Sequence, residues 1–215
     1  MVFRIDLKIF IFLIILYFTR QIEIYWIIMF FAFLHELGHL IAGVLLKMKA
    51  KKISIMPAGF SIEFALTEND YNKKILNSNI LEIKKIIVAI AGPMVNLLII
   101  IITSILCEKS KLINNIIYSN FIILIFNLLP IYPLDGGRIL NSVICLIKKR
   151  KYGIIYTNII SNITLFLISF LFSILIYYYQ NWAIVVVLIY LWYIVLKQNK
   201  ICKMKLNLYE TLEKM

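Results

Sequence analysis

His35 and His39 are the only histidines in this 215-residue chain, and they stand four positions apart in Phe33-Leu34-His35-Glu36-Leu37-Gly38-His39-Leu40. On a helix, residues i and i+4 share a face, so the two imidazoles can grip one metal ion. Glu36, beside them, can take a proton from a water held at that ion. The surrounding run is apolar enough for a lipid bilayer, where a carboxylate is costly and is kept for function. A satisfied polar patch is the bland reading, but it gives no reason to bury His, Glu and His together in lipid.

Two histidines leave a zinc ion short of ligands, because a catalytic zinc usually has three protein ligands and one open position. Cys107, Cys145 and Cys202 are far apart and form no C-x-x-C pair, so the third ligand is expected to be a carboxylate. Glu23, Glu63, Glu82 and Asp135 lie near apolar runs. Asp135 is favoured. It follows Asn127-Leu128-Leu129-Pro130-Ile131-Tyr132-Pro133-Leu134 and precedes Gly136-Gly137, a composition that argues against an unbroken helix. Irregular backbone at membrane depth is tolerated where it lines a wet cavity. The alternative for Asp135 is an N-cap of a helix starting near Gly136. Asn127, about two helical turns earlier, can offer its amide to a peptide carbonyl or a developing oxyanion, or can bond a neighbouring helix.

These residues need a scaffold, and the composition says which kind. With 62% hydrophobic residues and a mean hydropathy of +0.91, the chain is expected to be an all-α polytopic membrane protein. It is read as one membrane-embedded domain over residues 1–215, with no room for a sizeable soluble module. Six apolar spans are expected, at about 7–19, 22–46, 84–106, 113–129, 154–178 and 182–196. The first is short and resembles a signal-peptide core, but no small-x-small cleavage site follows it.

Between the second and third spans, residues 52–64 alternate apolar and polar on both sides of Pro57-Ala58-Gly59. That pattern predicts a small β-hairpin insert, whose edge could pair with an extended substrate. Residues 67–82 read as a surface helix or loop. In the third span, Ala91-Gly92-Pro93 and Asn96 suggest close helix packing, a local opening at the proline and an interhelical hydrogen bond.

The formal net charge is +12. In a membrane protein this points to lysine-rich cytoplasmic loops rather than to nucleic acid. With six spans, 20 of the 23 Lys and Arg residues fall on one face. Both termini, the hairpin insert and the Asp135 loop are therefore expected in the cytoplasm. The second and fourth spans then run in the same direction, so His35, His39 and Asp135 can meet in the cytoplasmic half of the bilayer.

The combination of His35-Glu36-Leu37-Gly38-His39, Ala91-Gly92-Pro93 with Asn96, and Asn127 through Pro133-Leu134-Asp135-Gly136-Gly137 resembles the site-2 protease family of intramembrane zinc metalloproteases. The family's three-span core would cover about residues 22–138, with flanking spans at both ends. The resemblance implies zinc held by His35, His39 and Asp135, Glu36 as the group that activates water, and Asn127 assisting at the substrate peptide. Within the family the chain looks most like the bacterial stage IV sporulation protein FB group, which releases sigma-K from a membrane-associated precursor. Such proteases are often restrained by inhibitory membrane proteins. Many members of that group carry a C-terminal nucleotide-sensing CBS domain. This chain ends at Met215 with no room for one, so regulation through such a domain is not expected.

Other readings compete. Other substrates of a site-2-type protease would be anti-sigma factors or signal-peptide remnants. A metal-ion transporter would also keep His, Glu and Asp in the membrane, but these residues are too few and too clustered to line a path across it. A catalytically dead membrane partner would not need an intact Glu36.

Overall fold

The computed structural model describes residues 2–5, 22–56, 59–65, 76–108, 110–148, 150–180 and 182–213. They divide into two compact units, Met1–Asn127 and Leu128–Met215.

In the first unit, β1 (Val2–Ile5) is followed by α1 (Ile22–Leu45), β2 (Lys49–Met56), β3 (Gly59–Ala65), α2 (Leu76–Leu106) and α3 (Lys111–Leu128). The strands form one sheet in the order β1-β2-β3. β2 and β3 run antiparallel from Lys49 opposite Ala65 to Met56 opposite Gly59, with an irregularity between Ala50 and Lys52. β1 lies parallel to β2, with Val2 opposite Lys52. The link between β2 and β3, at Pro57-Ala58, lies outside the described residues.

The end of α1 is set by its backbone. Met48 N donates to Gly43 O at 2.8 Å and Lys47 N to Val44 O at 2.9 Å. Lys47 adopts a left-handed φ of 59°. This is the paired-bond helix stop usually built on glycine, and it turns the chain from α1 directly into the sheet. α2 is assigned as helix throughout, with Pro93 inside it.

The second unit holds the loop from Leu129 to Leu134 and the helices α4 (Asp135–Ile147), α5 (Arg150–Tyr179) and α6 (Trp182–Glu213). Asn162 and Asn199 tie α5 to α6 by two reciprocal amide hydrogen bonds of 3.2 and 3.0 Å. Trp192 Nε1 donates to Ser169 Oγ at 3.1 Å in the same interface.

Among the described residues, five helices are long and apolar enough to cross a membrane: α1, α2, α3, α5 and α6. The expected first span at 7–19 lies outside the described residues. The last helix departs from expectation. It runs to Glu213, well past the apolar span expected at 182–196, because the basic tail is rich in Lys, Leu and Met and contains no glycine or proline to stop it. The chain is an integral membrane protein. Its helices turn large apolar side chains outward, Leu106 and Phe166 among them at 76% and 71% exposure, while His35, His39, Asn96, Asn120, Ser142 and Ser161 are buried. Water would not tolerate that inversion, and lipid requires it.

Candidate metal centre

The helical period places His35 and His39 one turn apart on the face of α1 that packs against α2. Both are buried, and their rings stand edge to face with centroids 4.7 Å apart. Close approach of the two helices depends on Gly38, where a Cβ would press on the Val95 side chain and the Ala91 carbonyl.

The outer partners of the two rings fix their chemistry. His39 Nδ1 lies 2.6 Å from the carbonyl oxygen of Val88. A backbone carbonyl only accepts, so this nitrogen carries the proton. His35 Nδ1 lies 2.8 Å from Asn96 Oδ1, which accepts in the same way. In the neutral rings both Nε2 atoms then hold lone pairs, and they face each other at 3.1 Å. Two lone pairs at that distance repel unless a cation draws them together. Two imidazole nitrogens on one tetrahedral zinc, each about 2.0–2.1 Å from it, would be about 3.3 Å apart. The donor set therefore fits a zinc ion, with both histidines in the tautomer that leaves Nε2 to the metal.

Gly92 lines the same spot. A methyl on its Cα would collide with Nε2 and Cε1 of His39 and with Nε2 of His35. The small residue in Ala91-Gly92-Pro93 therefore clears space for the ligand nitrogens, a role that sequence reasoning gave only to helix packing. Asn96 departs further from expectation. It is fully buried and bonds a histidine as well as a neighbouring helix. Glu36 is half-buried on α1.

Among the other carboxylates considered, Glu82 is buried and takes Lys85 Nζ at 2.7 Å. Asp135 lies in the second unit as the first residue of α4 and is buried. It does not cap that helix: Leu134 holds the cap position, with no side-chain cap bond. Arg138 Nη1 lies 3.7 Å from Asp135 Oδ1. The loop before it folds tightly on the helix start. A Cβ on Gly136 would run into the Leu128 carbonyl, and one on Gly137 into the backbone of Ile131 and Tyr132, so the two glycines are what admit this turn. From α5, Ser161 Oγ accepts the Tyr132 N–H at 3.0 Å and holds the loop in place. Asn127 ends the first unit, half-buried, with one amide hydrogen donated to Ile123 O at 3.1 Å.

The chain is similar to known proteins in sequence and in fold. A family model described as peptidase family M50 matches residues 24–110 and 107–171. A zinc metalloprotease of Methanocaldococcus jannaschii is 32% identical over 168 residues, which are 71% of this chain and 44% of that protein. Stage IV sporulation protein FB of Bacillus subtilis is 31% identical over 111 residues, 50% of this chain and 35% of that protein. The chain thus spans less than half the length of either relative. Among solved structures, a site-2 protease from Methanocaldococcus jannaschii shares the fold, with a TM-score of 0.63 at 18% identity over 90% of this chain and 88% of that one.

Proposed function

The chain belongs to peptidase family M50, and on that premise we propose that it is an intramembrane zinc metalloprotease of the site-2 type, hydrolysing a peptide bond in a membrane-associated protein. The observation that carries this reading is the pair of imidazoles whose Nε2 atoms face each other at 3.1 Å while their Nδ1 atoms face acceptors. His35 and His39 hold the zinc, and Asp135 supplies the third ligand. A buried carboxylate at the first position of a helix, beside the two glycines that admit the turn, suits that role.

Bound zinc supplies a water acidified to a pKa of about 7 and a polarised carbonyl oxygen. Glu36, next to His35, accepts the proton from the attacking water and returns it to the departing amine. Asn127 keeps a second amide hydrogen beyond the one given to Ile123 O, and offers it to the peptide carbonyl. The substrate must be extended there, because a helical peptide hides its carbonyls in its own hydrogen bonds. β3, at an edge of the sheet, is suited to receive such a strand.

The substrate we favour is the sigma-K precursor, on the strength of the similarity to stage IV sporulation protein FB. The charge distribution favours a site opening to the cytoplasm, and the pairing of β1 with β2 supports an N-terminus on the same side as the insert. Co-expression of the chain with the sigma-K precursor of its own genome tests the proposal. Wild type should yield the shortened product, and Glu36→Gln should keep its zinc and yield none. A Glu36→Gln variant that cleaves would sink the protease reading. Cleavage by neither, with zinc retained, would move the substrate to anti-sigma factors or signal-peptide remnants.

A further inference from the structure

Asn120 never reaches the histidines, yet it is fully buried in α3 and hydrogen-bonded to a residue that does. Its Nδ2 donates to Ile116 O at 2.9 Å. Its Oδ1 accepts from Asn96 Nδ2 at 3.2 Å. Asn96 Oδ1 in turn faces His35 Nδ1 at 2.8 Å. The direction of this chain is dictated at its far end. The Ile116 carbonyl can only accept, so Asn120 must present its amide nitrogen there and its oxygen to Asn96. Asn96 must then turn its nitrogen to Asn120 and its oxygen to His35. Every link follows from the one before it, and the last link makes His35 Nδ1 a donor.

We propose that Asn120 and Asn96 are positioning residues that form a tautomer relay, holding the proton of His35 on Nδ1 and leaving Nε2 as the metal-binding atom before any metal arrives. The inference deepens the metal-centre reading and rests on it for its purpose. His39 needs no relay, because its Nδ1 faces the Val88 carbonyl directly. An amide without a partner can rotate by half a turn and offer either nitrogen or oxygen to the imidazole. Asn120 removes that freedom from Asn96. Two fully buried amides inside apolar helices are costly unless bonded, and here each is bonded on both sides.

The protein has only two histidines, so the relay can be read directly. The chain in detergent, stripped of metal and carrying 15N-histidine, is observed by NMR at about pH 8, above the ordinary histidine pKa of about 6.5. Both rings should show the Nδ1–H tautomer. Asn120→Leu should move His35 to a mixture of tautomers while His39 is unchanged, and zinc affinity, measured by chelator competition, should fall by about 10–100-fold, as for other outer-shell losses. Asn96→Asp supplies a carboxylate that accepts in either orientation. In that background Asn120→Leu should no longer alter His35 or zinc affinity.

Three results would overturn the relay: an unchanged His35 tautomer in Asn120→Leu, an equal disturbance of His39, or a double variant as impaired as Asn120→Leu alone. The tautomer is read without zinc, so failure of the relay and failure of the zinc reading remain distinguishable.

Discussion

Gly92 on α2 lies against the imidazole of His39 on α1. A single methyl on its Cα would fall on Nε2 and Cε1 of that ring and within 2.7 Å of Nε2 of His35. Gly92→Ala is therefore expected to displace both ligand nitrogens and to leave the purified protein without stoichiometric zinc. Gly38→Ala, which meets Val95 and the Ala91 carbonyl instead, should lower thermal stability but retain zinc at low temperature. Metal content by mass spectrometry and a melting curve for each variant separate the two effects. Full zinc in Gly92→Ala would remove the glycine from the site.

Asp135 and Arg138 separate a ligand from an ion pair. If Asp135 is the third ligand, Asp135→Ala should cost zinc affinity more than the roughly 10–100-fold of an outer-shell loss. The contact to Arg138 is 3.7 Å long and Arg138 is 37% exposed, so solvent screens it and it is worth about 1 kcal/mol at most. Arg138→Gln should then bind zinc within a few-fold of wild type by the same chelator assay. Equal losses in the two variants would point to the ion pair and away from ligation.

The pairing of His35 with His39 is legible in the sequence because a helix has one period, and two histidines four apart can only meet. The supporting residues are not legible in the same way. A glycine cleared for a neighbouring backbone, as at Gly38, and one cleared for an imidazole, as at Gly92, look alike in sequence. Asn96 and Asn120 signal only that a polar group sits in an apolar run, and Asn114, Asn115 and Asn127 give the same signal. What separates them is which amide faces a ring, and that depends on how α2 and α3 pack. In sequence the cap alternative for Asp135 is open for a related reason, since an Asp ahead of two glycines suits either role. The C-terminal end of α6 is not legible, because charge marks where lipid should end and says nothing about where a helix stops. β1 is not legible, because four residues are too short to display a period.

Ser161 links α5 to the loop that leads into Asp135. It is 1% exposed, donates to Thr157 O at 2.7 Å and accepts the Tyr132 N–H at 3.0 Å. Ser161→Ala leaves that backbone N–H without its partner, at a cost of about 1–3 kcal/mol. The melting temperature should fall by several degrees. Ser161→Thr, which keeps the hydroxyl, should recover part of the loss. Stability equal to wild type in Ser161→Ala would mean that another group takes over the Tyr132 N–H.

Asn162 and Asn199 test how much polar contacts hold α5 and α6 together. Each amide donates to the other, at 3.2 and 3.0 Å, so the pair satisfies one oxygen and one nitrogen on each helix with no charge involved. In lipid the competing partner is not water. The separated helices still find other bonds, however, which limits the gain to about 0.6–2 kcal/mol. A double-mutant cycle with Asn162→Leu and Asn199→Leu, followed by unfolding in mixed micelles, should return a coupling energy in that range. Each single variant should be less stable than the double, because it leaves one amide facing a leucine, whereas the double replaces the bonded pair by apolar contact. A coupling near zero would assign the α5–α6 interface to apolar packing and to the Trp192–Ser169 bond instead.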